Sequence, residues 1–444
     1  MMKKLLLSSA AVCGLVLAAG QAQAADGLKL DIGGWFKGYG AYVDQDTVED
    51  DPATVANEDQ EERNFDILRN TEIHFTGETT LDNGLTVGMH FETEADNNDS
   101  LDVEESYAYF TGTWGRVNFG AENGASYLLQ VEAPSADSNV DGIRQFIDGT
   151  NYSIAPGTMG TFFNTGLTAV QISNGANGVN NTGGDDIIRN AAVNFNTSGS
   201  GAAFDLFSFD YDDDVTGYAN KITYLTPIFA GFQAGVSYTP ENNDTTASDD
   251  TTGVGIDDQA GTYGSSYEVA VRYEGQFDQV GVIAGVGFTH SNVEESQVLI
   301  YEDNDNDNVL DDSDDVLSKR DDRQSWNAGL DLDFGPFGLG VAYVHDDLGI
   351  DGLDADRETF VVGADYTTGP FKLGASYYNQ DQELDGFLGA GGGDLETDRY
   401  TGGVVYTYGP GMTFRGSVSF IDHDLPNSND VDSTNVLLGT QINF

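Results

Sequence analysis

Apolar and polar residues alternate along much of the chain, most clearly after residue 260. Between Trp326 and Phe334, every second side chain is apolar, and Asn, Gly and Asp fill the positions between them. A turn follows at Gly335-Pro336, and the alternation then resumes from Phe337. Because successive side chains of a strand point to opposite faces of a sheet, this period of two predicts strands with one apolar face.

The same pattern predicts an all-β chain of sixteen strands. An extra hairpin at 187–197 and 202–212, where Phe207, Phe209 and Tyr211 alternate with other residues, would raise the number to eighteen. The predicted strands are 28–43, 64–80, 85–96, 103–114, 116–128, 218–229, 232–240, 265–276, 280–292, 323–334, 337–346, 357–367, 371–381, 397–408, 412–422 and 434–444.

The connections between the predicted strands differ in length in a regular way. Short turns such as Gly369-Pro370 alternate with long acidic loops such as 294–322, and Tyr, Trp and Phe occur near many strand ends. Short turns at one end, long loops at the other and aromatic residues at the interfaces are typical of transmembrane up-and-down antiparallel β-barrels. Closure removes the sheet edges that lipid cannot satisfy, and a barrel of this size is too wide for side chains to fill.

The first residues predict a cleaved signal peptide. Lys3 and Lys4 precede an apolar stretch over 5–19, and Ala22-Gln23-Ala24 has the small residues of a cleavage site. The predicted domains are therefore a signal peptide at 1–24 and a β-barrel at 25–444. Cleavage would remove Cys13, the only cysteine, which excludes a disulfide scaffold or a thiol enzyme.

The charge of the chain is strongly acidic. There are 18 Lys and Arg residues against 74 Asp and Glu, a formal net charge of −56 that becomes −58 without residues 1–24. Such a charge excludes a nucleic-acid partner. The hydrophobic fraction of 39% and the aromatic fraction of 11% argue against a disordered acidic protein.

No arrangement of residues predicts an enzyme. None of the five histidines lies in a recognised catalytic or zinc-binding motif. His74 and His90 fall on the polar phase of their strands, so we expect them to face the interior of the barrel.

One acidic loop, 303–314, has the spacing of a twelve-residue calcium loop. Asn308 stands where such loops usually carry glycine, and the last position has aspartate in place of the longer glutamate. The alternative is an exposed acidic loop without an ion. The candidate structural Ca²⁺ ligands, at positions 1, 3, 5, 9 and 12, are Asp303, Asp305, Asp307, Asp311 and Asp314.

Three stretches carry a resemblance to a known family. They are Thr71–Gly77 continuing through Asn83–Gly88, then Gly115–Gly120, and then Lys221–Tyr224 continuing through Gly231–Tyr238. In these stretches and in its overall pattern, the chain resembles a trimeric general porin of the alphaproteobacterial type. The resemblance implies a homotrimer, integral to the outer membrane of a Gram-negative bacterium, in contact with its lipid. It also implies a long third loop, here 121–217, folded into the lumen.

The resemblance further implies a pore constriction, in which an acidic loop faces basic residues of the wall. A field of this kind selects small polar solutes by charge and size. The resemblance thus implies passive diffusion of small hydrophilic solutes. Because the chain has few cationic residues, we expect the channel to prefer cations. The loop candidates are Glu132, Asp137, Asp141 and Asp148, and the wall candidates are Lys37, Arg272, Lys372 and Arg415.

The chain ends in an amphipathic strand with Val436, Leu438, Ile442 and Phe444 on one face. Such an ending resembles the signal that the barrel-assembly machinery recognises, with Phe444 as its last residue. Two alternatives remain open at this point. One is an eighteen-stranded channel specific for a particular substrate, and the other is a soluble, secreted, acidic calcium-binding β-protein.

Overall fold

The computed structural model describes residues 27–47, 63–95, 102–137, 142–152, 186–189, 208–242, 258–303, 315–352, 355–384, 394–424 and 430–444. Sixteen strands of these residues form a closed antiparallel barrel, in which the first strand pairs with the last. The barrel strands are β1 (Lys29–Gln45), β2 (Phe65–Thr80), β3 (Thr86–Glu94), β4 (Asp102–Gly112), β5 (Gly115–Ala121), β7 (Asn220–Leu225), β8 (Phe232–Thr239), β9 (Tyr263–Phe277), β10 (Val280–Val293), β13 (Arg323–Phe334), β14 (Phe337–Asp346), β16 (Ala355–Thr368), β17 (Phe371–Leu384), β18 (Asp394–Gly409), β19 (Met412–Asp424) and β20 (Val431–Asn443).

Four short strands lie outside the barrel in a separate sheet. They are β6 (Asp186–Arg189), β11 (Val298–Asp303), β12 (Asp315–Arg320) and β15 (Ile350–Asp351), in the order β15-β12-β11-β6. The predicted long loop 294–322 thus contains a hairpin formed by β11 and β12. This sheet joins that hairpin to part of the long connection between β5 and β7.

The predicted number of sixteen strands is confirmed, and the eighteen-strand alternative is wrong. Asp186–Arg189 pairs with β11 in the outer sheet, and residues 208–212 form no strand. Phe209 and Tyr211 gave a strand-like alternation, but both rings are buried against Tyr378 of β17. These aromatic side chains are thus buried by packing against the barrel wall, and not by membership of a strand.

Tight turns join strands at one end of the barrel. Gly335 and Gly369 have φ angles of +65° and +58°, and each is followed by proline in a two-residue turn. A positive φ at the first turn residue, with proline's fixed negative φ at the second, is the geometry of a type II′ turn. Glycine is needed here because other residues rarely adopt that conformation.

Apolar side chains of the predicted strands cover the outer surface of the barrel. Trp326, Leu330 and Phe334 of β13 are 41%, 38% and 43% exposed. Leu438 and Ile442 of β20 are 67% and 40% exposed, as the alternating pattern predicted. Apolar groups presented in a continuous band suit the hydrocarbon of a bilayer, whereas a water-soluble protein would bury them.

The prediction of a strand over 116–128 is wrong beyond Ala121. The chain leaves the wall there and forms a single helical turn, α1 (Ala125–Leu128). Within the described residues, no helix has the length and apolar character needed to cross a membrane.

Candidate functional site

The connection between β5 and β7 folds into the barrel. We call residues 122–219 the inner loop, of which 122–137, 142–152, 186–189 and 208–219 are described. Apart from 186–189, these segments contact side chains on the inward phase of β1, β8–β10, β13, β14 and β16–β20. Because those strands form a closed barrel, a segment that touches so many of their inner faces lies in the lumen.

Polar side chains of the wall hold the start of the inner loop. Asn123 donates its backbone N–H and its side-chain amide to Glu105 of β4, at 3.2 and 3.0 Å. At the beginning of α1, the N–H of Ala125 donates to Ser237 Oγ at 2.8 Å, and the N–H of Ser126 donates to Glu268 Oε2 at 2.9 Å. These contacts satisfy backbone donors that a helix cannot satisfy within its first turn.

A band of glycines lets the inner loop lie directly against the wall. A Cβ atom on Gly374 would come within 2.5 Å of the Ala136 nitrogen, and one on Gly363 would overlap the carbonyl oxygen of Pro134. Glycine is the residue that permits such close approach of two backbones. The band crosses seven strands and consists of Gly235, Gly285, Gly329, Gly340, Gly363, Gly374 and Gly403.

Two of the predicted basic wall residues bind the inner loop. Arg272 of β9 donates to the carbonyl oxygen of Gln130 at 2.9 Å. Arg415 of β19 contacts the Asp137 carboxylate at 2.9 Å, and Tyr39 of β1 donates to the same carboxylate at 3.0 Å. The structure thus brings Arg415 and Asp137 together as predicted, although they form a direct buried ion pair and do not face each other across open water.

The other two basic candidates have different surroundings. The Lys37 ammonium is buried on β1, at 3.1 Å from the ring centroid of Phe146 and 4.3 Å from that of Trp35. Lys372 of β17 pairs at 3.1 Å with Asp365 of the neighbouring strand β16. All four basic candidates lie on the inward phase of their strands. Their membership of the narrowest part of the channel stays a prediction.

The remaining loop candidates are half-buried acids or lie outside the described residues. Burial raises the pKa of Glu132, although Lys372 and Arg272 oppose the shift. Burial also raises the pKa of Asp148, whose carboxylate accepts a 2.9 Å hydrogen bond from the N–H of Thr150. Asp141 lies outside the described residues. Neither Glu132 nor Asp148 is therefore a freely solvated charge.

The last described segment of the inner loop, 208–219, carries acids that the sequence analysis did not predict as site residues. Burial raises the pKa of Asp212 to about 7, and neighbouring Asp210 adds to the shift while Arg144 opposes it. Burial and then Asp212 raise the pKa of Asp214 to about 7. The Arg144 guanidinium lies 3.6 Å from the Asp212 carboxylate and donates to the hydroxyl of Tyr218 at 2.5 Å.

The inner face of β2, β3 and β4 is lined by acids and histidines. A β-bulge places Glu104 and Glu105 of β4 opposite the single residue Glu92 of β3, because the register shifts by one between Phe91 and Thr93. We call this surface the acidic wall. It consists of Glu72 and His74 on β2, His90, Glu92 and Glu94 on β3, and Glu104 and Glu105 on β4.

The part of the acidic wall on β2 and β3 could have been found in the sequence. Glu72-x-His74 and His90-x-Glu92 each place two ionisable side chains on one face of a strand, because residues two apart point the same way. The hairpin register then sets His74 opposite Glu92. His74 and His90 do face the interior, as the alternation predicted. They are hydrogen-bonded groups rather than isolated wetted side chains.

The predicted calcium loop lies mostly outside the described residues. Asp303 ends β11 and Asp315 begins β12, so the stretch connects the two strands of the outer hairpin. Asp305, Asp307, Asp311 and Asp314 fall between them, outside the described residues. The calcium site stays a prediction.

Comparison with known proteins agrees with this architecture. A family model described as Gram-negative porin matches residues 8–425. Among solved structures, the anion-selective porin from Comamonas acidovorans matches with a TM-score of 0.55 at 15% identity, over 94% of this chain and 100% of that one. OmpT of Vibrio cholerae in its trimer form matches with a TM-score of 0.52 at 14% identity, over 94% of this chain and 100% of that one. No curated protein matches the chain by sequence.

At such identities the solved structures show the fold, and the family model shows the family. The soluble, secreted alternative is wrong, because the exposed apolar band and the family both place the barrel in lipid. Proteins of this family form channels. The chain belongs to the family of Gram-negative porins and is an integral β-barrel of the outer membrane.

Proposed function

We propose that this channel lets small hydrophilic solutes diffuse passively and that it prefers cations. The proposal depends on one observation, which is how the charges divide between the two sides of the lumen. Arg272 and Arg415 are bound to the inner loop, and Lys372 is paired with Asp365. The carboxylates of Asp137 and Asp365 therefore compensate the charges of Arg415 and Lys372, and a carbonyl oxygen of the inner loop occupies the Arg272 guanidinium.

The acidic wall has a different balance. Five carboxyl groups lie together on three adjacent strands, those of Glu72, Glu92, Glu94, Glu104 and Glu105. An excess of one charge along a water-filled passage raises the local concentration of ions of the opposite sign. The lumen should therefore attract cations over anions.

The test is the reversal potential of the purified protein in a planar bilayer under a potassium chloride gradient. We expect the sign that corresponds to a higher permeability for potassium than for chloride. Conductance should change little when potassium is replaced by another small cation, because the proposed passage is not built for one solute. Anion preference, or saturation by one particular solute, would contradict the proposal.

We infer that the working form is a homotrimer. The matched Vibrio cholerae porin is described as a trimer form, and this chain shares its fold. Light scattering in detergent should give three chains per particle before heating and one afterwards. A monomer in the unheated sample would contradict this.

We also propose that export and assembly use the two ends of the chain. Residues 1–24 should be absent from the mature protein, which mass spectrometry of the outer-membrane form would show. Phe444 is 60% exposed beyond β20, where the barrel-assembly machinery could bind it. Deleting Phe444 should reduce the amount of folded barrel in the membrane, whereas Asn443→Ala should not.

Calcium binding by the loop 303–314 is a separate proposal. The five aspartates at alternating and spaced positions offer the hard oxygen ligands that Ca²⁺ requires. Calorimetry of the whole barrel should detect calcium binding that Asp305→Asn and Asp307→Asn together remove. Unchanged binding in that variant would contradict the assignment.

A further inference from the structure

Two histidines and a glutamate converge on the inner face of β2 and β3. The hairpin register sets His74 opposite Glu92 and Thr76 opposite His90, so both rings and the carboxylate project from one patch of the wall. Because the two strands pair continuously through this region, the spacing of these side chains is fixed by the sheet.

The three side chains direct potential ligand atoms at one place. Oε1 of Glu92 lies 2.6 Å from Nε2 of His90 and 3.4 Å from Nδ1 of His74. One nitrogen of each ring and a carboxylate oxygen all lie within 4.8 Å of one another. An ion could contact all three after small side-chain rotations.

The second nitrogen of each ring already has a partner. Nε2 of His74 lies 2.6 Å from Oε1 of Glu72, and Nδ1 of His90 lies 2.8 Å from the hydroxyl of Thr76. Histidines that bind metals commonly hydrogen-bond through the other ring nitrogen to a carboxylate or another polar group. That bond fixes the orientation of the ring and increases its basicity.

Neighbouring groups hold the rings and supply further oxygen atoms. Trp35 packs edge-on against His74 at 5.1 Å, and Tyr107 packs against His90 at 5.3 Å. Oxygen atoms of Glu72, Glu92 and Glu104 also lie within 4.8 Å of one another. The bulge in β4 thus adds a carboxylate next to the two-histidine group.

We propose that this patch is a binding site for a divalent transition-metal ion of the Zn²⁺ type, with His74, His90 and Glu92 as ligands. Imidazole and carboxylate together suit zinc, whereas calcium and magnesium prefer oxygen ligands alone. Glu72 orients His74, and Glu104 is positioned to join as a further ligand. The site goes beyond the proposed channel function and can be measured without ion conduction.

The experiment is a titration of the folded full-length mature protein in detergent with zinc chloride, against a competing chelator. We expect one zinc ion per chain at this site. His74→Gln and His90→Gln should each weaken binding by at least about tenfold, because each removes a ligand. His290→Gln is the matched control, because among the described residues its ring contacts Asn292 at 3.3 Å and the carboxylate of Asp322 at 3.9 Å, and it should leave zinc binding unchanged.

Two further measurements use the wild-type protein, so they test the proposal even if a variant fails to fold. X-ray absorption of the zinc-loaded wild-type protein should show imidazole nitrogen in the first coordination sphere. Zinc should also protect His74, whose side chain is 18% exposed, but not His290, from modification by diethyl pyrocarbonate, as located by mass spectrometry. No zinc binding by the wild type, or binding that both histidine variants retain, would overturn the site. Displacement of zinc by equimolar calcium would do the same, because it would indicate carboxylate ligands only.

Discussion

Two regions of the barrel's inner face differ in the residues that occupy the inward positions of their strands. From β8 to β18, the inward positions near mid-strand are often glycine, and the inner loop lies against them. On β2 to β4, the same inward phase carries glutamate and histidine. One surface is shaped to hold a segment of backbone, and the other is shaped to present charge. The difference shows that one alternation of side chains can encode both a support for a loop and a charged surface.

The largest expected effect concerns the ion pair that holds the inner loop. Arg415→Met would leave the Asp137 carboxylate, which is only 1% exposed, without its cation. Breaking a buried pair on one side costs about 3–5 kcal/mol. Urea unfolding of the refolded protein in detergent should show a loss of free energy of unfolding of this size.

Two control variants sharpen that result. Lys372→Met breaks a pair whose lysine is 25% exposed, so the loss there should be at most about 1 kcal/mol. The double change Arg415→Met with Asp137→Asn removes the stranded charge and should recover most of the lost stability. Equal losses for Arg415→Met and Lys372→Met would mean that the inner loop is not held by this pair.

A smaller effect is expected when the glycine band is filled. In Gly363→Ala, the new Cβ overlaps the backbone carbonyl of Pro134, which cannot rotate away. Overpacking of this kind costs about 1–3 kcal/mol and should loosen the inner loop. Trypsin should then cleave after the half-buried Arg144 faster than in the wild type.

The matched control is Gly402→Ala, one position from the band on the outward phase of β18. A Cβ there meets nothing within 4 Å. Its rate of cleavage after Arg144 should equal that of the wild type. If the Gly363 variant were also cleaved at the wild-type rate, the close packing of loop and wall would not be what holds the loop in place.

The barrel was predictable from the sequence because its signal is local. Each strand pairs mainly with the next one, so the alternation from Trp326 to Phe334 already determines which side chains face lipid. The path of the inner loop was not predictable, since its contacts join distant residues. Arg415 and Asp137 are 278 positions apart, and no local pattern indicates that they meet.

The acidic wall was only partly predictable, for two physical reasons. Alternation placed His74 and His90 inside, but their contact with Glu92 depends on the register of the hairpin. Glu104 and Glu105 are adjacent in sequence, so simple alternation would point one of them outward. The bulge sets both of them opposite Glu92, and no residue in the sequence indicates that a bulge forms there.

A third variant, with a smaller expected effect, tests whether the acidic wall determines ion selectivity. Glu94→Gln should lower the ratio of cation to anion permeability by about fourfold. One charge about 10 Å from a permeating ion in water contributes about 0.4 kcal/mol, which favours a cation and disfavours an anion, so the two factors of about two multiply in the ratio. The ratio comes from the reversal potential under a salt gradient, with Asp82→Asn in the turn between β2 and β3 as a control of equal charge. A shift of the same size for Asp82→Asn would show that selectivity does not arise at the acidic wall.

The smallest expected effect comes from the inner loop, where Asp212 and Asp214 have pKa values of about 7 instead of the usual 3.8. Both carboxyls hold a proton below neutral pH in the folded protein and lose it above. Between pH 6 and 8, cation preference should therefore rise as two negative charges develop beside Arg144.

The same titration has a defined effect on stability, because a raised acid pKa favours the folded state only while the proton is held. The stabilising contribution is complete below pH 3.8 and is lost as the pH rises through about 7. Asp212→Asn with Asp214→Asn should flatten both the rise in selectivity and the fall in the urea midpoint between pH 5 and 8. A double variant with the wild-type pH slope would place the titrating groups elsewhere, and the acidic wall would then be the first region to examine.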